Sequence, residues 1–98
     1  MARAELLRRR KWTDREGNIF EIVIWKVERN VRHPEGVRYR LALIRPGEKE
    51  PALVYDNHHP KGHHRHIAGR EEPYLFGSVQ GLVDDFLAQA IALGTGVR

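Results

Sequence analysis

The chain has 98 residues, of which 41% are hydrophobic, and this is enough for one modest core and predicts a single domain. It contains no cysteine, which excludes disulfides, thiolate metal sites and a cysteine nucleophile. No apolar run approaches the roughly 18 residues that a membrane span needs, so we expect a cytoplasmic protein with no membrane partner.

Positive charge is concentrated in the first half of the chain. Residues 1–45 hold 12 Lys and Arg against 6 Asp and Glu, whereas residues 46–98 hold 5 against 7. The net charge of +4 therefore comes from the first half. A basic surface suits a nucleic acid or an acidic protein partner, and charge alone leaves both open, together with a plain solvated surface.

Alternating and β-branched segments predict four strands in the first part of the chain. These strands are residues 4–12, 19–27, 37–43 and 52–55. The second strand has apolar side chains on both of its faces and should be central in the sheet. In the third strand Arg38 and Arg40 alternate with apolar residues, which is typical of a half-buried strand. The turns between the strands are rich in Gly, Pro and Asp.

The last segment predicts one helix. Ser78 can cap its start, Gly94 can end it, and apolar residues recur between them at spacings of three and four. We therefore predict an α+β fold, in which an antiparallel meander sheet of four to five strands packs against one C-terminal amphipathic helix. One helix covers one sheet face, so a homodimer contact or another protein partner would cover the second face, unless the strands curl over themselves.

Five of the six histidines lie in one internal segment, residues 56–66, where we look for the chemistry of the protein. If residues 62–67 are extended, His64 and His66 project to the same side, because alternate residues of a strand share a face. Imidazole titrates at about pH 6.5 and can therefore both take and give a proton near neutrality. The spacing thus predicts a pair of acid and base groups.

Such a pair suits the cleavage of RNA by its own 2′-hydroxyl. One group removes the hydroxyl proton, the other protonates the leaving oxygen, and a cation such as Lys61 or Arg65 stabilises the phosphate. The candidate catalytic residues are therefore His64, His66 and Lys61. No metal ion or other cofactor is then required.

Neighbouring residues supply candidate supporting groups. Arg65, Arg70 and Asp56 are the candidate substrate-binding residues. Glu72 lies just beyond the loop and could orient an imidazole through its second nitrogen.

Other interpretations of the segment stay open. His64 and His66 could instead bind a divalent metal ion, with Asp56 or Glu72 adding an oxygen ligand. The loop could also be purely structural.

Four further side chains have two interpretations each. His58 and His59 are expected to be solvated loop residues beside Pro60. Trp25 and Tyr39 could stack on bases, but their positions also suit a core.

Four strings of the sequence carry a resemblance to a known family. They are Tyr55-Asp56-Asn57, Lys61-Gly62-His63-His64-Arg65-His66, Glu72-Pro73-Tyr74-Leu75-Phe76 and Asp85-Phe86. Together with the opening strand they resemble the TumE family, the small toxin components of prokaryotic toxin–antitoxin systems. The resemblance implies growth inhibition in a bacterial or archaeal cytoplasm, relieved by a cognate antitoxin that resembles helix-turn-helix repressors.

The resemblance leaves two classes of function open. As an enzyme, the chain would be a ribonuclease that uses the histidine pair. As a binding protein, it would occupy a protein or nucleic-acid target, and the histidine loop would be structural or metal-binding.

Overall fold

The computed structural model describes residues 4–94, which form one antiparallel sheet and one helix. The strands are β1 (Glu5–Thr13), β2 (Ile19–Lys26), β3 (Val37–Ile44), β4 (Leu53–Asp56), β5 (His64–Ile67) and β6 (Arg70–Pro73), and the helix is α1 (Val79–Ala92). Each strand pairs with the next one along the chain. The α+β class, the meander and the C-terminal helix are confirmed, and the sheet has six strands rather than four or five.

The additional strands come from the histidine segment and the residues after it. Ala68 and Gly69 both have positive φ, at 49° and 84°. A two-residue turn of this kind closes an antiparallel hairpin, because its twist matches that of the flanking strands, and Ile67 therefore lies opposite Arg70. Alanine rarely adopts this conformation, so the sequence gives little sign of the turn.

The core lies between one face of the sheet and one face of α1. Phe86 of the helix contacts Phe20 and Tyr55 edge-on, with ring centroids 6.4 and 5.9 Å apart. The Ser78 side chain caps the helix by accepting a hydrogen bond from the Gly81 N–H. The largest fully buried side chains are Tyr55, Phe20, Phe86, Ile24, Leu41, Leu43, Leu53 and Leu82. Each contributes roughly 1.5–3 kcal/mol relative to an exposed position.

Strand alternation places a second set of side chains on the opposite face of the sheet, which we call the open face. Its central residues are Arg9, Val23, Trp25, Arg38, Arg40, Val54, Asp56, His64, His66 and Glu71. Val23 and Trp25 are half-buried there, whereas Tyr39, on the other face, is core. The only helix of the described residues packs on the other face. Within residues 4–94 no helix is long and apolar enough to span a bilayer.

The start of β3 is held by a side chain rather than by a strand. β4 ends at Asp56, opposite Arg40, and the next residue is Asn57. Its Oδ1 accepts a hydrogen bond from the Tyr39 N–H at 2.9 Å, and its Nδ2 donates to the Val37 carbonyl at 2.8 Å. Because Asn57 is only 2% exposed, both backbone groups would otherwise be buried without partners.

We expect Asn57→Ala to lower the free energy of unfolding by about 1–3 kcal/mol, since it leaves a buried N–H and a buried carbonyl unsatisfied. Urea unfolding followed by circular dichroism measures the change. His59→Ala alters an exposed residue of the same loop and should stay within about 0.5 kcal/mol of wild type. Equal unfolding midpoints for the two variants would contradict the role of the amide.

Candidate active site

The structure brings the two histidines of the predicted pair together. His64 and His66 lie two residues apart in β5, so both imidazoles are on the open face, with ring centroids 5.5 Å apart. His64 is 5% exposed, and His66 is half-buried. The two rings are therefore close enough to act on the same substrate group.

The two imidazoles have different polar partners. His64 Nδ1 lies 2.8 Å from the Gly62 carbonyl oxygen, which can only accept, so Nδ1 donates and Nε2 keeps its lone pair. His66 Nε2 lies 2.9 Å from Glu71 Oε1, close enough for an ion pair when the imidazole is protonated. A neutral His64 therefore offers Nε2 as an acceptor, and His66 has a carboxylate beside it.

Glu71 links His66 to Lys61. Its Oε1 accepts a hydrogen bond from Lys61 Nζ at 2.6 Å. This bond lowers the pKa of the Glu71 carboxyl, which therefore stays ionised at neutral pH. Lys61, the predicted catalytic cation, thus lies beside the histidine pair.

Glu72, for which an orienting role was predicted, lies on the opposite face of the sheet. It is directly across from Arg65, and its Oε1 accepts from Arg65 Nε at 2.6 Å. Arg65 Nη1 also donates to the Tyr55 hydroxyl at 3.0 Å, which raises the pKa of the guanidinium further. Arg70, across from Ile67, is exposed and belongs to that face as well. The two predicted substrate-binding arginines are therefore not beside the histidine pair.

Asp56 does lie on the open face, and it binds His58, which the sequence predicts to be a solvated loop residue. Asp56 Oδ1 accepts from His58 Nδ1 at 2.9 Å and from the His58 N–H at 2.7 Å. The His58 ring centroid is 5.4 Å from that of His64. An Asp two residues before a His is the sequence sign of such a local turn contact.

His63 lies on the helix side and has a structural environment. Its ring stacks on Phe76, with centroids 4.8 Å apart, and its Nδ1 lies 2.9 Å from the Tyr39 hydroxyl. Its Nε2 lies 2.8 Å from Glu35 Oε1, and this hydrogen bond lowers the pKa of Glu35. His63 thus fastens the segment before β5 to the β2–β3 connection.

The histidine pair lines a groove of about 670 Å³ on the open face. Arg40, across the strand pair from Asp56, lines the same groove and is exposed. It is a cation on the correct face that the sequence analysis did not select as a site residue. The alternation of residues in β3 predicts the face on which Arg40 lies. Its distance from His64, however, depends on the register of β3 with β4 and of β4 with β5.

Two groups of side chains in the groove have the geometry to hold a divalent metal ion. Asp56, His58 and His64 form one group, and His64, His66 and Glu71 form the other. In each group the candidate ligand atoms all lie within 4.8 Å of one another. Glu71 therefore replaces Glu72 in the metal alternative that the sequence left open.

A comparison with family models assigns the chain to a known group. The model described as Toxin TumE matches residues 3–93. The chain belongs to the TumE family. Comparisons with curated proteins and with solved structures found no match. As a TumE protein, the chain is the toxin component of a toxin–antitoxin system, and an antitoxin is its implied partner.

We expect Lys61→Met to raise the pKa of the Glu71 carboxyl toward its ordinary value, because the hydrogen bond that lowers it is lost. Carboxyl-carbon NMR titrations of both proteins measure the change. Glu35, whose pKa is lowered by its hydrogen bond with His63 on the helix side, is the internal control and should titrate alike in both. Identical Glu71 curves would mean that Lys61 does not bind it in solution.

The same pKa direction predicts a pH dependence of stability. Because the pKa of Glu71 is lowered in the folded protein, its ionised carboxylate stabilises the fold at pH values above the ordinary carboxyl pKa. This stabilisation is lost as the pH falls through the lowered pKa of the folded state. Wild type should therefore lose more unfolding free energy than Lys61→Met in that acidic window, as measured by urea unfolding at several pH values.

Proposed function

We propose that this TumE toxin cleaves RNA in the cytoplasm without a metal ion, with the RNA 2′-hydroxyl as nucleophile and His64 and His66 as catalytic residues. The main support is the position of the two imidazoles on one sheet face, with ring centroids 5.5 Å apart. A second support is that their polar partners differ, since His64 donates to a carbonyl and His66 lies beside a carboxylate.

The proposed step uses one imidazole as base and the other as acid. His64 Nε2 takes the 2′-hydroxyl proton as O2′ bonds to phosphorus, and the bond from phosphorus to O5′ breaks. His66 gives its Nδ1 proton to O5′, so the products are a 2′,3′-cyclic phosphate and a 5′-hydroxyl. In the acid role, the protonated His66 would form an ion pair with Glu71, whose Oε1 lies 2.9 Å from His66 Nε2.

Cations of the open face stabilise the phosphate in this proposal. Lys61 gives one donor to Glu71 and keeps two for phosphate oxygens. Arg40 takes the substrate-binding role that the sequence analysis gave to Arg65 and Arg70, because those two lie on the helix side. Asp56 acts through His58, whose ring it orients.

We expect His64→Ala and His66→Ala each to slow RNA cleavage by about 10²- to 10⁴-fold, because each removes an acid–base group. The double variant should be hardly slower than the worse single variant, since residues that act as a unit are not additive. The assay follows a single-stranded RNA and identifies its cyclic ends by mass spectrometry. His59→Ala, which alters the loop but not the groove, should cleave like wild type.

Two results would contradict this mechanism. Cleavage that stops with EDTA and returns with an added divalent ion would favour a metal site built on His64. Growth inhibition by a double variant that circular dichroism shows to be folded would favour the alternative, a toxin that acts by binding alone.

The proposed partner is a cognate antitoxin that resembles helix-turn-helix repressors, with a homodimer as the alternative assembly. Its support is the family, which implies an antitoxin, and the exposed apolar side chains on the edge strand β1, where Leu6 and Leu7 are 42% and 41% exposed. Such side chains are often covered by a partner.

Light scattering on the toxin alone, and mixed with the product of the neighbouring gene, should show a complex in at least one of the two samples. Leu7→Ser should weaken that complex, and Ile91→Ser, an equally apolar exposed site on α1, is the control. A strict monomer in both samples would contradict the proposal.

A further inference from the structure

The open face contains a row of directly opposed residues that leads away from the histidine pair. In successive strands this row is formed by Arg9, Val23, Arg40, Asp56 and His64. Neighbouring strands lie about 4.8 Å apart, so Arg40 is about 10 Å and Arg9 about 19 Å from His64. The row therefore reaches across four strand spacings of the sheet.

Three arginines on or beside this row carry unneutralised charge. Arg38 and Arg40 alternate with the buried Tyr39, and they are exposed on the open face. Arg9 shares that face because it opposes Val23. None of the three takes part in an ion pair with another residue of the described range 4–94. By contrast, Arg65 on the helix side is bound to a carboxylate.

A smaller cavity lies beside the row. It has a volume of about 220 Å³ and lies between Trp25 and His58, with Arg38 and Arg40 also in its wall. Arg40, Asp56 and His58 line this cavity and the larger groove, so the two adjoin. An indole and guanidinium groups are the side chains on which unpaired bases stack.

We propose that this row is the binding track for single-stranded RNA, with phosphates on Arg40, Arg38 and Arg9 and one unpaired base stacked on Trp25. The proposal rests on the proposed function, because it names the substrate of the same groove. A single strand is required, since a base in a duplex is already stacked and paired.

Charge favours RNA over a second copy of the chain as the occupant. A two-fold symmetric dimer places the same patch of both copies in contact. Through this face it would bring the unpaired arginines of one copy against those of the other, at a cost from like-charge repulsion. A polyanion instead neutralises them and releases counterions.

Intrinsic fluorescence tests the stacking position, because the chain has two tryptophans on opposite faces. Trp12 stacks on Phe20, on the helix side, with centroids 4.8 Å apart. In Trp12→Phe the remaining Trp25 should be quenched by a 2′-O-methyl single strand of about eight nucleotides, which cannot be cleaved. In Trp25→Phe the remaining Trp12 should not respond, and Trp25→Ala should weaken binding about 5- to 150-fold.

Salt titrations test the phosphate contacts, and Arg8 and Arg9 of β1 provide a matched pair of variants. Arg9→Gln and Arg40→Gln should each reduce the slope of log affinity against log salt by about 0.7, the value for one lost contact to a single strand. Arg8→Gln makes the same charge change on the helix side, where Arg8 donates to Gln80, and its slope should equal that of wild type. Equal slopes for Arg8→Gln and Arg9→Gln, or an unquenched Trp25, would overturn the track.

The uncleavable 2′-O-methyl oligonucleotide separates the test of RNA binding from the test of RNA cleavage. Binding that depends on Arg40 and Trp25, in a protein that cuts no RNA, supports the track and removes the ribonuclease mechanism. If cleavage depends on the histidines but is unchanged by the arginine and Trp25 variants, the ribonuclease mechanism is supported and the binding track is contradicted. A dimer that forms through Trp25 and ignores the oligonucleotide would assign the face to protein contact and overturn the proposal.

Discussion

The Asn57 amide holds the start of β3, beyond the point where strand pairing with β4 stops. By bonding to the Tyr39 N–H and the Val37 carbonyl, it satisfies both groups without another strand residue. The chain is then free to leave the sheet, turn through the lysine and histidine loop, and return as β5 with His64 opposite Asp56. Every contact in the groove depends on this exit and return, because one residue of slip would move each side chain to the other face.

The two faces of β5 and β6 then have different chemistry. His66 lies across from Glu71 on the open face, and Arg65 lies across from Glu72 on the helix side. The first pair is exposed to a groove and joined by Lys61, whereas the second is fixed against the Tyr55 hydroxyl. Two adjacent carboxylates of one short strand thus serve a candidate reaction and the packing of the core, respectively.

The sequence predicts faces better than it predicts register. That His64 and His66 share a face, and that Arg40 lies away from the core, both follow from the period of two. That Glu71 rather than Glu72 meets His66 depends on a turn of two residues at Ala68 and Gly69, which the sequence does not mark. The proximity of Arg40 to the groove likewise depends on the connection between β3 and β4, whose length leaves the register free.

The strands lie in the sheet in the same order as in the chain, which affects how the protein can fold during synthesis. Each strand pairs only with its neighbour along the chain, so hairpins can form as they leave the ribosome, without waiting for distant segments. All the groove histidines are then made before α1, yet the side chains beneath them, such as Tyr55 and Leu41, are covered only when the helix arrives. A nascent chain therefore carries all of its candidate catalytic histidines on a core that the helix has not yet covered.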